Sequence, residues 1–232
     1  MWATMTAPDP LPDDNRVALR QVARACRKAS LASLLAGAPY ASLVTVAFDH
    51  DLAPILLLSG LSDHTKNIMA DARVSLLLDG TEGHANPQTG PRVTLMGRAE
   101  RSEDTRLTAR FLARHPAAAL YAGFADFAIW RVVPERAHFV GGFGRAVWFD
   151  APFGLPANGL AETEAELLSA INTTHSSDLA KMGDGWQVTA LDVDGIDIAN
   201  QGEFRRMNFP APVVNAEQVL ATAGMLLHPS GL

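Results

Sequence analysis

Residues 41–59 read ASLVTVAFDHDLAPILLLS. Two apolar runs, 41–49 and 53–59, flank Asp49-His50-Asp51. The first is rich in β-branched residues, and the short polar interruption has the composition of a hairpin turn. Working outward, VSLLLDG (74–80) is a third strand-like run. RVTLMGRAERS (92–102) is long enough for a bent strand, with Gly97 at the bend. DFAIWRVVPERAHFVG (126–141) reads as two strands around Pro134. Few helices interrupt this series. One follows residue 63 and ends near Ala72, and one covers about 103–114 with Ser102 as N-cap. A run of short strands with few helices predicts a closed antiparallel barrel, which removes the exposed edges that apolar strands such as Leu56-Leu57-Leu58 would otherwise present.

Upstream, Val17, Leu19, Val22, Ala25, Leu31, Leu34 and Leu35 recur at helical spacing, so 15–37 reads as one helix stopped by Gly37 and Pro39. Residues 1–14, rich in Pro and Asp, read as a disordered arm. Residues 151–160 read as a linker between a barrel domain (15–150) and a small α+β domain (161–232). In the latter a helix over 162–182 precedes WQVTALDVDGIDIANQ, whose Asp194-Gly195 is a strong hairpin signal. FRRMNF is a possible third strand, and a last helix covers about 215–227.

The chain has 232 residues, a formal net charge of −6 and one cysteine, Cys26. The negative balance argues against a nucleic-acid partner, since no global positive field attracts phosphates. A lone cysteine forms no intrachain disulfide and fits a reducing compartment. There is no apolar stretch of about 18 residues and no signal-peptide pattern. The expectation is a cytoplasmic protein without a membrane span.

The Gly142-x-Gly144 pair lacks a small third residue, because Val147 stands there, and lacks a following helix, so a dinucleotide-binding turn is rejected. LDVDGID fails as a calcium loop at its first and twelfth positions, Ala190 and Gln201. The remaining polar cluster is LLLSGLSDHTKNI (56–68). Ser62 or Asp63 suits a helix cap. Capping does not account for Ser59, His64, Thr65, Lys66 and Asn67 together. Hydroxyls, one cation and free N–H groups at a helix start form an anion site, to which Arg92 and Arg145 are candidate additions. His228, near the C-terminus, is a weak candidate iron ligand.

These motifs also carry a resemblance. Ser59-x-Leu61-x-x-His64-Thr65-x-Asn67-Ile68, Ala72-Arg73-Val74-Ser75-Leu76, Arg92-Val93-Thr94-Leu95-x-Gly97, His115-Pro116, Asp126-Phe127 and Val140-Gly141-Gly142-Phe143-Gly144-x-Ala146 occur in order. Together they resemble the FMN-binding split-barrel proteins related to pyridoxamine 5′-phosphate oxidase, in the haem-utilisation branch. Asn172-x-x-His175-x-x-Asp178-Leu179 and Arg206-Met207-Asn208-Phe209-Pro210 are similar to the α/β domain often appended to them. The resemblance implies a six-stranded antiparallel split barrel with flanking helices, followed by a small α+β domain. It implies a homodimer with FMN, or alternatively haem, at the subunit interface. It places Ser59, Ser62, His64, Thr65, Lys66, Asn67 and Arg92 at the cofactor phosphate. Trp130 or Trp148 would lie against a flavin ring. Where the true oxidases carry an Arg-Lys pair after the serine, this chain has His64-Thr65-Lys66-Asn67, which weakens the case for vitamin B6 oxidation. Two functions follow: a flavin-dependent or haem-degrading oxidoreductase, or a non-catalytic haem or flavin carrier or sensor.

Overall fold

The computed structural model describes residues 11–200 and 203–228. The reading of 1–14 as a disordered arm therefore falls mostly outside the described residues. The chain divides into two units. The first comprises residues 1–48, 52–103 and 122–154, and the second 49–51, 104–121 and 155–232.

In the first unit α1 (Asn15–Ala25) is capped by Asp14, whose side chain accepts from the N–H of Arg16 at 2.7 Å. The strands β1 (Lys28–Leu35), β2 (Ala38–Thr45), β3 (Ala47–Phe48) and β4 (Pro54–Ser59) follow, then α2 (Asp63–Ala70), β5 (Arg73–Asp79), β6 (Arg92–Ser102), β7 (Phe127–Val140) and β8 (Ala146–Asp150). The antiparallel sheet runs β2-β1-β5-β6-β7-β4-β3, with β8 also on β7. Only Val46 separates β2 from β3, so residues 38–48 act as one bent strand. Its first part pairs with β1 and its last two residues pair with β4. The sheet thereby curls back on itself, and with β2 and β3 counted together it has the six barrel strands the resemblance implies. β7 pairs with β4 through residues 127–131 and with β8 through 136–140. β8 thus covers the edge that β4 leaves open.

Two expectations are corrected here. Residues 15–37 are not one helix, because 28–35 form β1, paired with β2 on one side and β5 on the other. Leu31, Leu34 and Leu35 mimic a helical stripe, but Ala29, Leu31 and Ser33 alternate inward at period two, and two neighbouring strands outweigh local spacing. The turn at Ala36 (φ 48°) and Gly37 (φ 84°) has both residues in the left-handed region, as a tight hairpin requires. β7 likewise is one strand running through Pro134. The missing N–H is tolerated because a bulge sits there. Met96 pairs with Arg136 and Gly97 with Pro134, which leaves Glu135 as the extra residue.

In the second unit α3 (Thr105–Arg114), α4 (Leu160–Thr174), α5 (Ser176–Lys181) and α6 (Ala216–Leu227) accompany a three-stranded antiparallel sheet. Its order is β11-β10-β9, from β9 (Gln187–Asp192), β10 (Gly195–Asn200) and β11 (Glu203–Asn208). Its core gathers Leu167, Ile171, Trp186, Leu191, Ile196 and Val219. α3 is capped by Asp104, whose side chain accepts from Arg106 N, rather than by Ser102, which still belongs to β6. The expected helix over 162–182 is broken at His175.

Residues 104–121, which the sequence reading assigned to the barrel domain, cluster instead with the second unit. The cause is legible in α3. Arg106, Arg110 and Arg114 recur every fourth residue and so share one face. Arg106 donates to both oxygens of Asp49, at 2.6 and 3.0 Å. Arg110 donates to Glu164, whose other oxygen lies 3.1 Å from His50 Nε2. Arg114 donates to Asp197 at 2.7 Å.

Burial alone would push the Asp49 carboxyl up. The Arg106 guanidinium and the His50 backbone N–H outweigh it and hold the group at about 2. A carboxyl lowered in the folded state stabilises above its unfolded value and loses that contribution as pH falls through the folded one. Acidification from about pH 4 to about pH 2 is expected to remove about 2 kcal/mol of stability. Urea titrations at pH 5 and pH 2.5 check this. In Asp49→Asn the component carried by this pair should vanish.

Candidate functional site

The polar cluster that the sequence singled out is largely consumed by its own hydrogen bonds. Ser59 ends β4 opposite Phe127. Its Oγ donates to Asp126 Oδ2 at 2.5 Å and accepts from Leu61 N at 3.1 Å. Ser62 stands at the N-cap of α2, yet neither it nor Asp63 caps the helix, contrary to expectation, because no side chain makes the cap bond. The Ser62 hydroxyl donates to Ser59 O at 2.7 Å and meets Thr65 Oγ1 at 2.8 Å. Thr65 and Asn67 are buried, and Asn67 Nδ2 donates to Ser33 Oγ on β1 at 3.1 Å. Lys66 is exposed and lies 3.5 Å from Asp63. Burial holds the His64 imidazole below its usual value against the opposing pull of Asp63. What remains is a helix start whose N–H groups and dipole are not answered by a side chain, which favours an anionic group there.

The other named residues lie elsewhere. Ser59 pairs with the first residue of β7, whereas Arg92 pairs with Val140, the last. Arg92 and the 59–67 cluster therefore stand at opposite ends of one strand. Trp130 is buried, and its indole N–H has no hydrogen-bond partner. Arg145 donates through Nε to Asn15 Oδ1 at 2.5 Å and through Nη2 to the carbonyls of Pro12 and Asp13, so it secures the start of the chain's described part. His228 is exposed at the end of α6, in the second unit.

Sequence reasoning missed a surface on the outward face of the barrel sheet. Register places Leu43, Ser30, Leu77, Thr94, His138 and Trp148 in one row across six strands. The next row carries Met96 and Arg136. The apolar members are open to solvent: Leu43 is 72% exposed, Leu77 41%, Met96 40% and Trp148 47%. His138 stacks on Trp148, with ring centroids 4.6 Å apart and planes 18° apart, and Arg136 lies over the same indole at 4.5 Å. Arg92 flanks the row at one side and Arg98 at the other, six residues along β6, which is roughly 20 Å of strand. The usable signal was the period-two alternation of β6 and β7, but it needs the strand register to become a surface.

Residues 10–152 match the family model described as "CREG, beta-barrel". Over 151 residues the chain is 30% identical to the non-canonical heme oxygenase HOZ, chloroplastic, of Arabidopsis thaliana; the match covers 61% of this chain and 46% of that relative's length. Among solved structures, the protein Atu2129 of Agrobacterium tumefaciens, of unknown function, superposes with a TM-score of 0.74 at 27% identity. That match covers 97% of this chain and all of the other. A heme binding protein from Mycobacterium smegmatis superposes with a TM-score of 0.58 at 27% identity, covering 94% of this chain and 97% of its own. Among the described residues no helix is long and apolar enough to cross a membrane.

Proposed function

The chain belongs to the CREG β-barrel family, and from that premise we propose that it binds haem on the outward face of its barrel sheet. The carrying observation is that face: an apolar row bearing an imidazole and an indole, rimmed by Arg92, Arg98 and Arg136, in a chain of net negative charge. Haem is an apolar plane with two carboxylates and an iron, and needs an apolar floor, cations at its rim and one neutral imidazole. The residues present fit it. The names of the Arabidopsis and Mycobacterium relatives support the reading. FMN is less well served, since its phosphate would want cations at the start of α2, where Lys66 is engaged with Asp63 and from which Arg92 is remote along β7. When bound, haem supplies redox chemistry at iron, and the protein's part is to bind, orient and exclude water.

The same face supports a homodimer, because a second copy would cover both the apolar row and the ligand. A reducing, cytoplasmic setting completes the reading, on the strength of the lone Cys26. Turnover with an electron donor separates a haem-degrading enzyme from a carrier or sensor. The first test is titration of the purified protein with hemin and, separately, FMN. Hemin is expected to give a saturable Soret shift and a dimer by sedimentation. Arg92→Ala should weaken hemin binding by about 1.5 kcal/mol, one charge-assisted hydrogen bond, while Lys66→Ala should not. Saturable FMN binding with no response to hemin would replace this reading with the flavin one.

A further inference from the structure

Resting on the haem reading, we propose that His138 is the side chain that ligates the iron, with Trp148 as the residue that positions it. His138 is half-buried on β7, and its side chain stands on the outward face. Stacking against Trp148 occupies a face of the imidazole, whereas both nitrogens lie on its edge. Among the described residues neither nitrogen has a hydrogen-bond partner, so ligation displaces nothing. Side chains on a strand stand roughly perpendicular to the sheet. Leu77 and Met96 would offer haem apolar contact, and Arg92 and Arg136, one on either side of His138 along the sheet, would offer cations to its carboxylates.

The other histidines are placed less well, and His84 lies in the loop between β5 and β6, outside the strands that build the row. His50 and His115 are buried. His175 faces Asp178 at 3.5 Å. His64 lies on α2 beside Asp63, with Asn67 of that helix bonded to the inward-facing Ser33 of β1, whereas the apolar row uses the outward residues of the same strand. His228 ends α6 in the second unit. Among the described residues no group of three or more metal-binding side chains is assembled, whereas haem iron asks the protein for one imidazole.

The device that aims His138 outward is the bulge at Glu135. Before it Trp130 and Val132 point into the barrel, and after it Ala137 and Phe139 do. One residue fewer would turn His138 inward.

The test adds hemin to the purified full chain and records ferric absorption and EPR spectra and the ferrous iron–imidazole Raman band. The parent should show histidine ligation, and His64→Ala and His228→Ala should keep it. His138→Gly should lose it and regain it on addition of free imidazole. His138→Cys should shift the spectrum to that of a thiolate ligand. Far-UV circular dichroism and thermal melting confirm that each variant folds, and His138→Gln serves if the glycine variant does not. A His138→Gly protein with the parent spectrum overturns the ligand assignment and leaves haem binding standing. A parent that shows no response to hemin overturns both.

Discussion

Arg206→Leu is expected to destabilise the second unit by about 3–5 kcal/mol, the cost of removing one partner from a buried ion pair. Arg206 donates to both oxygens of Asp192 at 2.8 Å and to Asp197 Oδ1 at 3.0 Å, while Asp197 also accepts from Arg114. All four side chains are buried. Burial by itself would lower the Arg206 pKa, but the two carboxylates overcome it and raise the value above that of a free guanidinium. Removing the cation takes from Asp192 the guanidinium bonded to both its oxygens and takes from Asp197 one of its arginines. Trp186, in the same core and stacked under Arg205 at 4.6 Å, reports unfolding by fluorescence in urea. Adding Asp192→Asn to Arg206→Leu should recover part of the loss, because a neutral amide costs less to bury than a carboxylate that has lost this cation. If Arg206→Leu unfolds at the parent's urea midpoint, the cluster contributes no net stability.

Gly97→Ala is expected to cost about 3 kcal/mol, at the upper end of overpacking effects. A Cβ on Gly97 would overlap the carbonyl oxygen of Val133, with the Val133 carbonyl carbon 3.0 Å away and Val132 Cγ1 3.1 Å away. Two of these three atoms are backbone and do not rotate aside. The conflict falls at the register shift between Met96 and Gly97, so relief requires β6 and β7 to separate or the bulge to move. Since the bulge decides which side chains of β7 face outward, the variant should lose both stability and hemin binding. A variant that melts and titrates like the parent would show that the bulge adapts freely.

Much of this fold was written locally. The apolar runs around Asp49-His50-Asp51, the bend at Gly97 and the Asp194-Gly195 hairpin follow from β-propensity and turn chemistry, which act over a few residues. The separated motifs also carried the family, because a resemblance needs no coordinates. Of the residues the sequence offered as site candidates, Arg92 lies beside the outward row on which the proposed site is built. Other features were decided only by tertiary structure. KASLASLL at 28–35 is a strand because β2 and β5 pair with it, although its leucines are spaced for a helix. α3 joins the second unit through partners at Asp49, Glu164 and Asp197, which are distant in sequence. Ser59, Thr65 and Asn67, whose types suggested ligand contacts, are spent on Asp126, Ser62 and Ser33. The row of Leu43, Leu77, His138 and Trp148 draws on strands more than a hundred residues apart. Alternation assigns each of these side chains to one face of its own strand. Only the hydrogen-bond register between strands, which between β6 and β7 includes a single bulged residue, determines which of them become neighbours.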